Sequence, residues 1–223
     1  CPVRGHSNVQ GDRTMGIMER PSDKFLDALE REFNFVAPRK HGYSTVEAIK
    51  AMSDGEAKVF FAMGGNLVSA APDTEVVFDA LRKCNLTAQV VTKLNRTALA
   101  TGKVSLILPC LGRSEIDNGQ FVSTESTMLN VQFSKGIFEP ASEHLRSEPW
   151  SVCQMAKATL GERTSVDWDA MAANYDKIRD AIELTIPGFE NYNERIREPG
   201  GFYLNCPPRE RGFRTATGKA RFI

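Results

Sequence analysis

The chain has 223 residues, 41% of them hydrophobic and 25% charged, with 28 basic and 28 acidic side chains and a formal net charge of zero. A balanced charge gives no bulk attraction for a polyanion, so a nucleic-acid partner is not expected. No apolar run approaches the ~20 residues that cross a bilayer, and no secretory leader is visible, so the expectation is a cytoplasmic protein without a membrane partner.

In chain order, residues 1–21 are rich in Gly, Asn, Arg and Asp and read as loop with at most one short helix. Ser22 is a natural N-cap for a helix over 22–34, with Phe25, Leu26, Leu29 and Phe33 on one face. Ser44-Thr45-Val46-Glu47 is a capping-box pattern that opens a second helix over 44–53. Ala57 to Met63 is an apolar run interrupted only by Lys58, read as a strand covered on both faces. Gly64-Gly65-Asn66 makes a turn, and 74–84 is an amphipathic helix capped by Asp73 with Val76, Val77, Ala80 and Leu81 inward. Two further strand-like runs cover 86–92 and 104–108. Strand, turn, helix, strand is a βαβ unit, which crosses over right-handed.

The fold class expected is therefore α/β: a three-layer, Rossmann-like domain with a small parallel sheet and helices on both faces. Beyond Pro109, 120–123 and 128–132 read as short strands around a hairpin near Glu125-Ser126. Helices are expected over 148–160 and 167–184. The proline- and glycine-rich sequence from Pro187 reads as irregular surface chain. The organisation expected is one domain over 1–223, with a loop-rich terminus (1–21), a core (22–186) and a tail (187–223).

The cysteines Cys1, Cys84, Cys110, Cys153 and Cys206 are odd in number and show no CxxC spacing, and His6, His41 and His144 lie far apart. A disulfide framework or a metal site built by this chain alone is not expected. Gly64, Gly65 and Asn66 follow the first strand, at the sheet edge where parallel α/β folds bind ligands. Glycines there let backbone N–H groups reach a phosphate, although a plain tight turn fits the spacing equally well. Thr92-Lys93-Leu94-Asn95-Arg96-Thr97 follows the second strand and offers cations and hydrogen-bonding groups, with a solvated loop as the bland alternative. Cys110 follows the third strand, where a nucleophile could sit, but no partner motif accompanies it and a buried thiol is the simpler reading. Glu115 and Asp117 read as a surface pair at a helix start, and Phe60, Phe61 and Phe78 as core.

Several of these stretches together resemble a known family. Arg4-Gly5-His6-Ser7-Asn8-Val9-Gln10-Gly11 resembles the RGxxNVQG loop of formate dehydrogenases and their relatives in the dimethyl sulfoxide reductase superfamily. Phe61 to Asn66 is similar to the family's strand-end MGxNP element, Thr101 to Pro109 to its third strand, Gly119 to Gln132 to its TxSERxVQ stretch, and Gly212 to Phe222 to its FTxSGK step. The order and spacing hold over essentially the whole chain. The resemblance implies an internal segment of the catalytic subunit of a molybdopterin oxidoreductase, closest to the formate-dehydrogenase-alpha-related proteins. Such a segment would hold part of a molybdenum-bearing bis-molybdopterin guanine dinucleotide. On that reading, Arg4, Gly5, Asn8, Gln10 and Gly11 would face the pterin and phosphates. Gly64, Gly65 and Asn66 would meet the pyrophosphate or ribose, and Thr92, Lys93, Asn95 and Thr97 the guanosine end. Two departures stand out: Val91-Thr92-Lys93 lacks the acidic residue that many relatives carry there, and Asn66 is followed by Leu67, not proline.

The resemblance also implies that the intact protein is the enzyme. The segment alone would be inactive and cofactor-free, partnered by the remaining domains of its own polypeptide, with a small-molecule substrate in the intact protein. The alternatives are a free-standing cysteine hydrolase using Cys110, or a noncatalytic interaction module using the tail after Pro187.

Overall fold

The computed structural model describes residues 9–222. The first elements are the helices α1 (Val9–Thr14), α2 (Asp23–Phe33) and α3 (Thr45–Ser53). The Ser22 hydroxyl accepts from Phe25 N, and Ser44 and Glu47 complete the reciprocal capping box. They are followed by β1 (Val59–Met63), the short helix α4 (Leu67–Ala70), α5 (Thr74–Arg82), β2 (Leu86–Val91) and β3 (Val104–Pro109). The strands form a parallel sheet in the order β1-β2-β3, with Val59, Leu86 and Val104 in one row. The molecule is thus α/β with a small parallel sheet and helices, the class read from the βαβ pattern.

One face of this sheet packs on helices. Met52 of α3, Val68 of α4, and Val77, Ala80 and Leu81 of α5 form a buried cluster with Cys84 and Ala100, and Phe60 of β1 packs against it. Val76 does not join them: it is 47% exposed, because the helix stripe is narrower than the apolar pattern suggests. Phe61, read as core, is 40% exposed, since it alternates with Phe60 onto the opposite sheet face.

The hairpin near Glu125-Ser126 forms as β4 (Val122–Glu125) and β5 (Asn130–Ser134), antiparallel, with β6 (Phe202–Tyr203) pairing on the far side of β5. Helix α6 (Glu148–Leu160) forms as expected, but the 167–184 segment breaks into α7 (Trp168–Ala173) and α8 (Asp176–Thr185). The break falls where Tyr175 N donates to Gln120 Oε1 (2.7 Å) instead of continuing a helix. A last helix, α9 (Tyr192–Arg195), lies in the tail.

Beyond Tyr203 the tail is the irregular, mostly exposed chain expected, but its first part is not surface chain. Phe189, Tyr192, Ile196 and Phe202 are buried with Val131 in a second core, and the Phe189, Tyr192 and Phe202 rings stack edgewise or tilted at 4.7–5.9 Å. The proline and glycine content masked a set of aromatics whose burial comes from long-range pairing with β5. Gly201 makes that pairing possible: it sits at φ +64, and a Cβ there would lie 1.9 Å from the Val131 carbonyl oxygen. Gly201→Ala must displace backbone and should cost about 2–4 kcal/mol. A denaturant midpoint unchanged from the parent protein would contradict that packing. Among the described residues no helix is long and apolar enough to cross a membrane.

Candidate functional site at the carboxyl edge of the parallel sheet

Three parallel neighbours end at one edge, so the turns that follow them converge there. Gly64 N donates to Val90 O (2.9 Å), which pins the first turn to the central strand. Gly64 has φ +77, a conformation that favours glycine. The second turn is tied to the first by side chains. Asn95 Nδ2 donates to Gly65 O (3.0 Å), and the Thr97 hydroxyl donates to Asn66 Oδ1 (3.0 Å) while accepting from Val68 N (3.1 Å). Thr97 N donates to Asn95 Oδ1 (2.9 Å), and Gln89 Nε2, fully buried on β2, donates to Thr97 O (3.0 Å).

These ties divide the sequence candidates by task. Asn66, Asn95 and Thr97 use their side chains to hold the two turns in register, and Thr97 is 1% exposed. What the edge leaves free is backbone. The N–H groups of Gly65, Asn66, Lys93 and Leu94 have no acceptor among the described residues. No atom lies within 4 Å of the place a Cβ on Gly65 would take. Thr92 and Lys93 are exposed on the same loop. The arrangement is a pair of cross-braced turns offering amide donors and one lysine to an open space, which suits an anionic oxygen cluster.

The other candidates fall elsewhere. Arg4, Gly5 and Asn8 lie outside the described residues. Gln10 and Gly11 are not loop: both belong to α1, which packs beside β4. Burial pushes the Glu125 carboxyl of β4 up, and Thr14 and Gln10 of α1 oppose the rise.

Residues that the sequence did not single out stand at the same edge. Cys110 N donates to Val91 O (3.1 Å) and Leu111 N to Arg146 O (3.0 Å), so the chain entering α6 runs beside the end of β3. This brings Glu148, in the first turn of α6, to the glycine turn: its Oε1 lies 3.7 Å from where a Cβ on Gly64 would be. Burial raises the Glu148 carboxyl, and Arg113 partly offsets this. Nothing local to Ser147-Glu148-Pro149 signals that placement, because it comes from a bridge between Cys110 and Arg146. Glu115 and Asp117 also differ from expectation, as no helix starts there. Glu115 accepts from Gly112 N and from Ala141 N (2.7 Å), and Asp117 accepts from the buried Tyr175 hydroxyl.

Cys110 is 3% exposed, and burial, with Glu148 and Glu115 nearby, pushes its thiol up to about 11. Such a thiol is not a thiolate at neutral pH. In the folded protein at pH 8 a maleimide should label Cys206, which is half-buried, well ahead of Cys110; equal rates would contradict the packing. Among the described residues no group of His, Cys, Asp and Glu could hold a metal ion.

No protein-family model matches the chain. It is 54% identical, over its whole length, to the uncharacterized oxidoreductase Rv2900c of Mycobacterium tuberculosis (strain ATCC 25618 / H37Rv), of which it spans 29%. It is 44% identical over its whole length to protein YdeP of Escherichia coli (strain K12), spanning 30% of that protein. Over 92% of the chain it is 25% identical to the assimilatory nitrate reductase catalytic subunit of Bacillus subtilis (strain 168). The chain is thus similar, from end to end, to a segment of longer proteins, one of them named as an oxidoreductase, and it spans about 30% of the length of these curated relatives.

Proposed function

We propose that the chain is a cofactor-holding segment of a longer molybdopterin oxidoreductase, and that the carboxyl edge of its parallel sheet receives the dinucleotide arm of molybdopterin guanine dinucleotide. The observation that carries this is the cross-braced pair of turns: the amides of Gly65, Asn66, Lys93 and Leu94 have no acceptor among the described residues, and nothing lies within 4 Å of the place of a Cβ on Gly65. Backbone N–H groups and the Lys93 ammonium complement a pyrophosphate, and the absence of a Cβ at Gly65 lets its oxygens approach. Glu148 marks where the phosphates do not go, because a carboxylate beside Gly64 repels an anion. The pyrophosphate is therefore expected on the Gly65–Lys93 side of the turns.

When bound, the molybdenum centre supplies the two-electron chemistry. This chain's residues bind and orient. Asn95 and Thr97 keep the two turns a fixed distance apart, Lys93 balances phosphate charge, and Gln89 anchors the loop from below. Names of the relatives support the oxidoreductase reading, and the nitrate reductase among them supports a redox enzyme acting on a small molecule. Formate as substrate rests on the motif resemblance alone. The reading is tested by acid extraction of the intact polypeptide. The expected result is molybdenum together with guanosine monophosphate released from the cofactor. Protein that is folded and loaded with a different redox group would overturn it.

The cysteine-hydrolase alternative receives no support from the geometry. Cys110 is buried with a raised thiol, and His41 and His144 are exposed.

A further inference from the structure

We infer that the all-apolar face of the β1-β2-β3 sheet, open along its two outer strands, is a docking surface for another segment of the same longer polypeptide, lying outside these 223 residues, which lays an apolar helical face on it.

The inference starts from which side of the sheet is bare. Strand residues alternate between faces, and the parallel register fixes which side chains share one. The face that packs on α3, α4 and α5 carries polar groups on two strands: Thr87 and Gln89 on β2 and Ser105 on β3. The opposite face has none. Every position on it, in all three strands, is aliphatic, aromatic or methionine. Along its two outer strands that face is open: Val59 is 58% exposed, Phe61 40%, Val104 56%, Leu106 46% and Leu108 41%, whereas Ala88 and Val90 of the central strand are buried.

A sheet face meant for water alternates apolar-in with polar-out, and parallel sheets are covered on both sides almost without exception. Here the more hydrocarbon-rich side leaves both of its outer strands open. Clustered exposed apolar side chains on β1 and β3, with no polar side chain among them, mark an interaction site.

The comparisons indicate the occupant. A relative 54% identical across the whole chain is matched over 29% of its own length, so most of that polypeptide lies outside the matched segment. A covering element tethered to the same chain meets the face at high effective concentration and needs little affinity of its own. The chemistry of the face sets the chemistry of the cover. With no charge or hydrogen-bonding side chain to pair, it fits the branched-aliphatic stripe of an amphipathic helix. This inference uses the length of the relatives and the exposure of the sheet, and does not depend on the cofactor assignment.

The test uses the intact polypeptide. A benzophenone side chain in place of Phe61 is photo-activated in a mixture of isotopically light and heavy protein, and cross-linked peptides are identified by mass. In parallel, Leu106→Cys and Val59→Cys are each labelled with a maleimide, folded and in urea. The expected result is a cross-link within one polypeptide to residues outside these 223. The cysteines should label about 100-fold or more slowly in the folded protein than in urea, as for a site that opens only by local unfolding. Light–heavy cross-links would assign the face to a second copy. Cross-links confined to the 223 residues, or labelling within a few-fold of the urea rate at both positions, would show the face unoccupied. Each of these outcomes overturns the inference.

Discussion

Gly65→Val is expected to fold and to lose its cofactor. Nothing lies within 4 Å of the new Cβ, and the backbone there is not in a conformation reserved for glycine, so the sheet and its braces have no reason to move. On the proposed reading, the branched side chain instead occupies the open space beside Gly65 into which phosphate oxygens would come. Guanine nucleotide per protein in the intact polypeptide should drop on the order of ten-fold or more, equivalent to at least about 1.4 kcal/mol of binding. The thermal midpoint of the cofactor-free protein should stay where it was. Gly64→Val is the contrasting case: at φ +77 it strains the turn itself, and stability and loading should fall together. A Gly65→Val protein that retains its full complement of nucleotide would reduce the glycines to a turn and move the site elsewhere.

Arg179→Met should be among the most damaging single changes in the second half of the chain. Arg179 is 4% exposed and acts as a hub. Its guanidinium pairs with Asp176, donates to Asn193 Oδ1 (2.7 Å) and to Phe121 O (3.2 Å), and lies 4.1 Å over the Phe121 ring. Methionine keeps much of the volume but removes the donor to the Phe121 carbonyl and leaves Asn193 Oδ1 only the longer bond from Arg197 (3.4 Å). Breaking a buried ion pair costs about 3–5 kcal/mol. Asp176 keeps Arg197 at 2.7 Å and is partly exposed, so the expected loss is nearer ~2–4 kcal/mol. The pH dependence should change as well. Burial alone would raise the Asp176 carboxyl, yet the bonds from Arg197 and Arg179 outweigh it and hold the group below its usual range. A lowered carboxyl contributes stability above the unfolded value of about 3.9 and loses it as pH falls through the folded value. Removing Arg179 should therefore flatten the loss of stability below about pH 4. Equal denaturant midpoints for parent and variant at pH 7 would contradict the hub assignment.

The α/β half of the fold was legible because its signals are local. Ser22, Ser44 and Asp73 each start a helix by accepting from a backbone N–H three residues on, and the three apolar runs became the three parallel strands. Legibility ended where long-range packing decides. The 167–184 segment has helical composition throughout, but Gln120, some fifty residues upstream, captures Tyr175 N and divides it. In the tail, glycines and prolines signalled irregularity, while Phe189, Tyr192 and Phe202 were building a core with β5 that no local pattern reveals.

The candidate site divides in the same way. Gly64, Gly65, Asn66 and Asn95 could be placed together because parallel strands put their turns on one edge. The role of Asn66, Asn95 and Thr97 as braces was not readable, since a hydrogen bond between turns some thirty residues apart leaves no mark in either sequence. Glu148 reached the glycine turn through a single bridge between Cys110 and Arg146. Gln10 and Gly11, read with the loop before them, belong instead to a short helix on β4.

Backbone hydrogen exchange in the intact polypeptide, with and without its cofactor, tests the central claim most directly. The amides of Gly65, Asn66, Lys93 and Leu94 have no acceptor among the described residues and should exchange quickly in the cofactor-free protein. They should slow together on loading, as they take up phosphate oxygens. If these four amides exchange at the same rate in both forms while protection appears elsewhere, the carboxyl edge of this sheet is not the cofactor site.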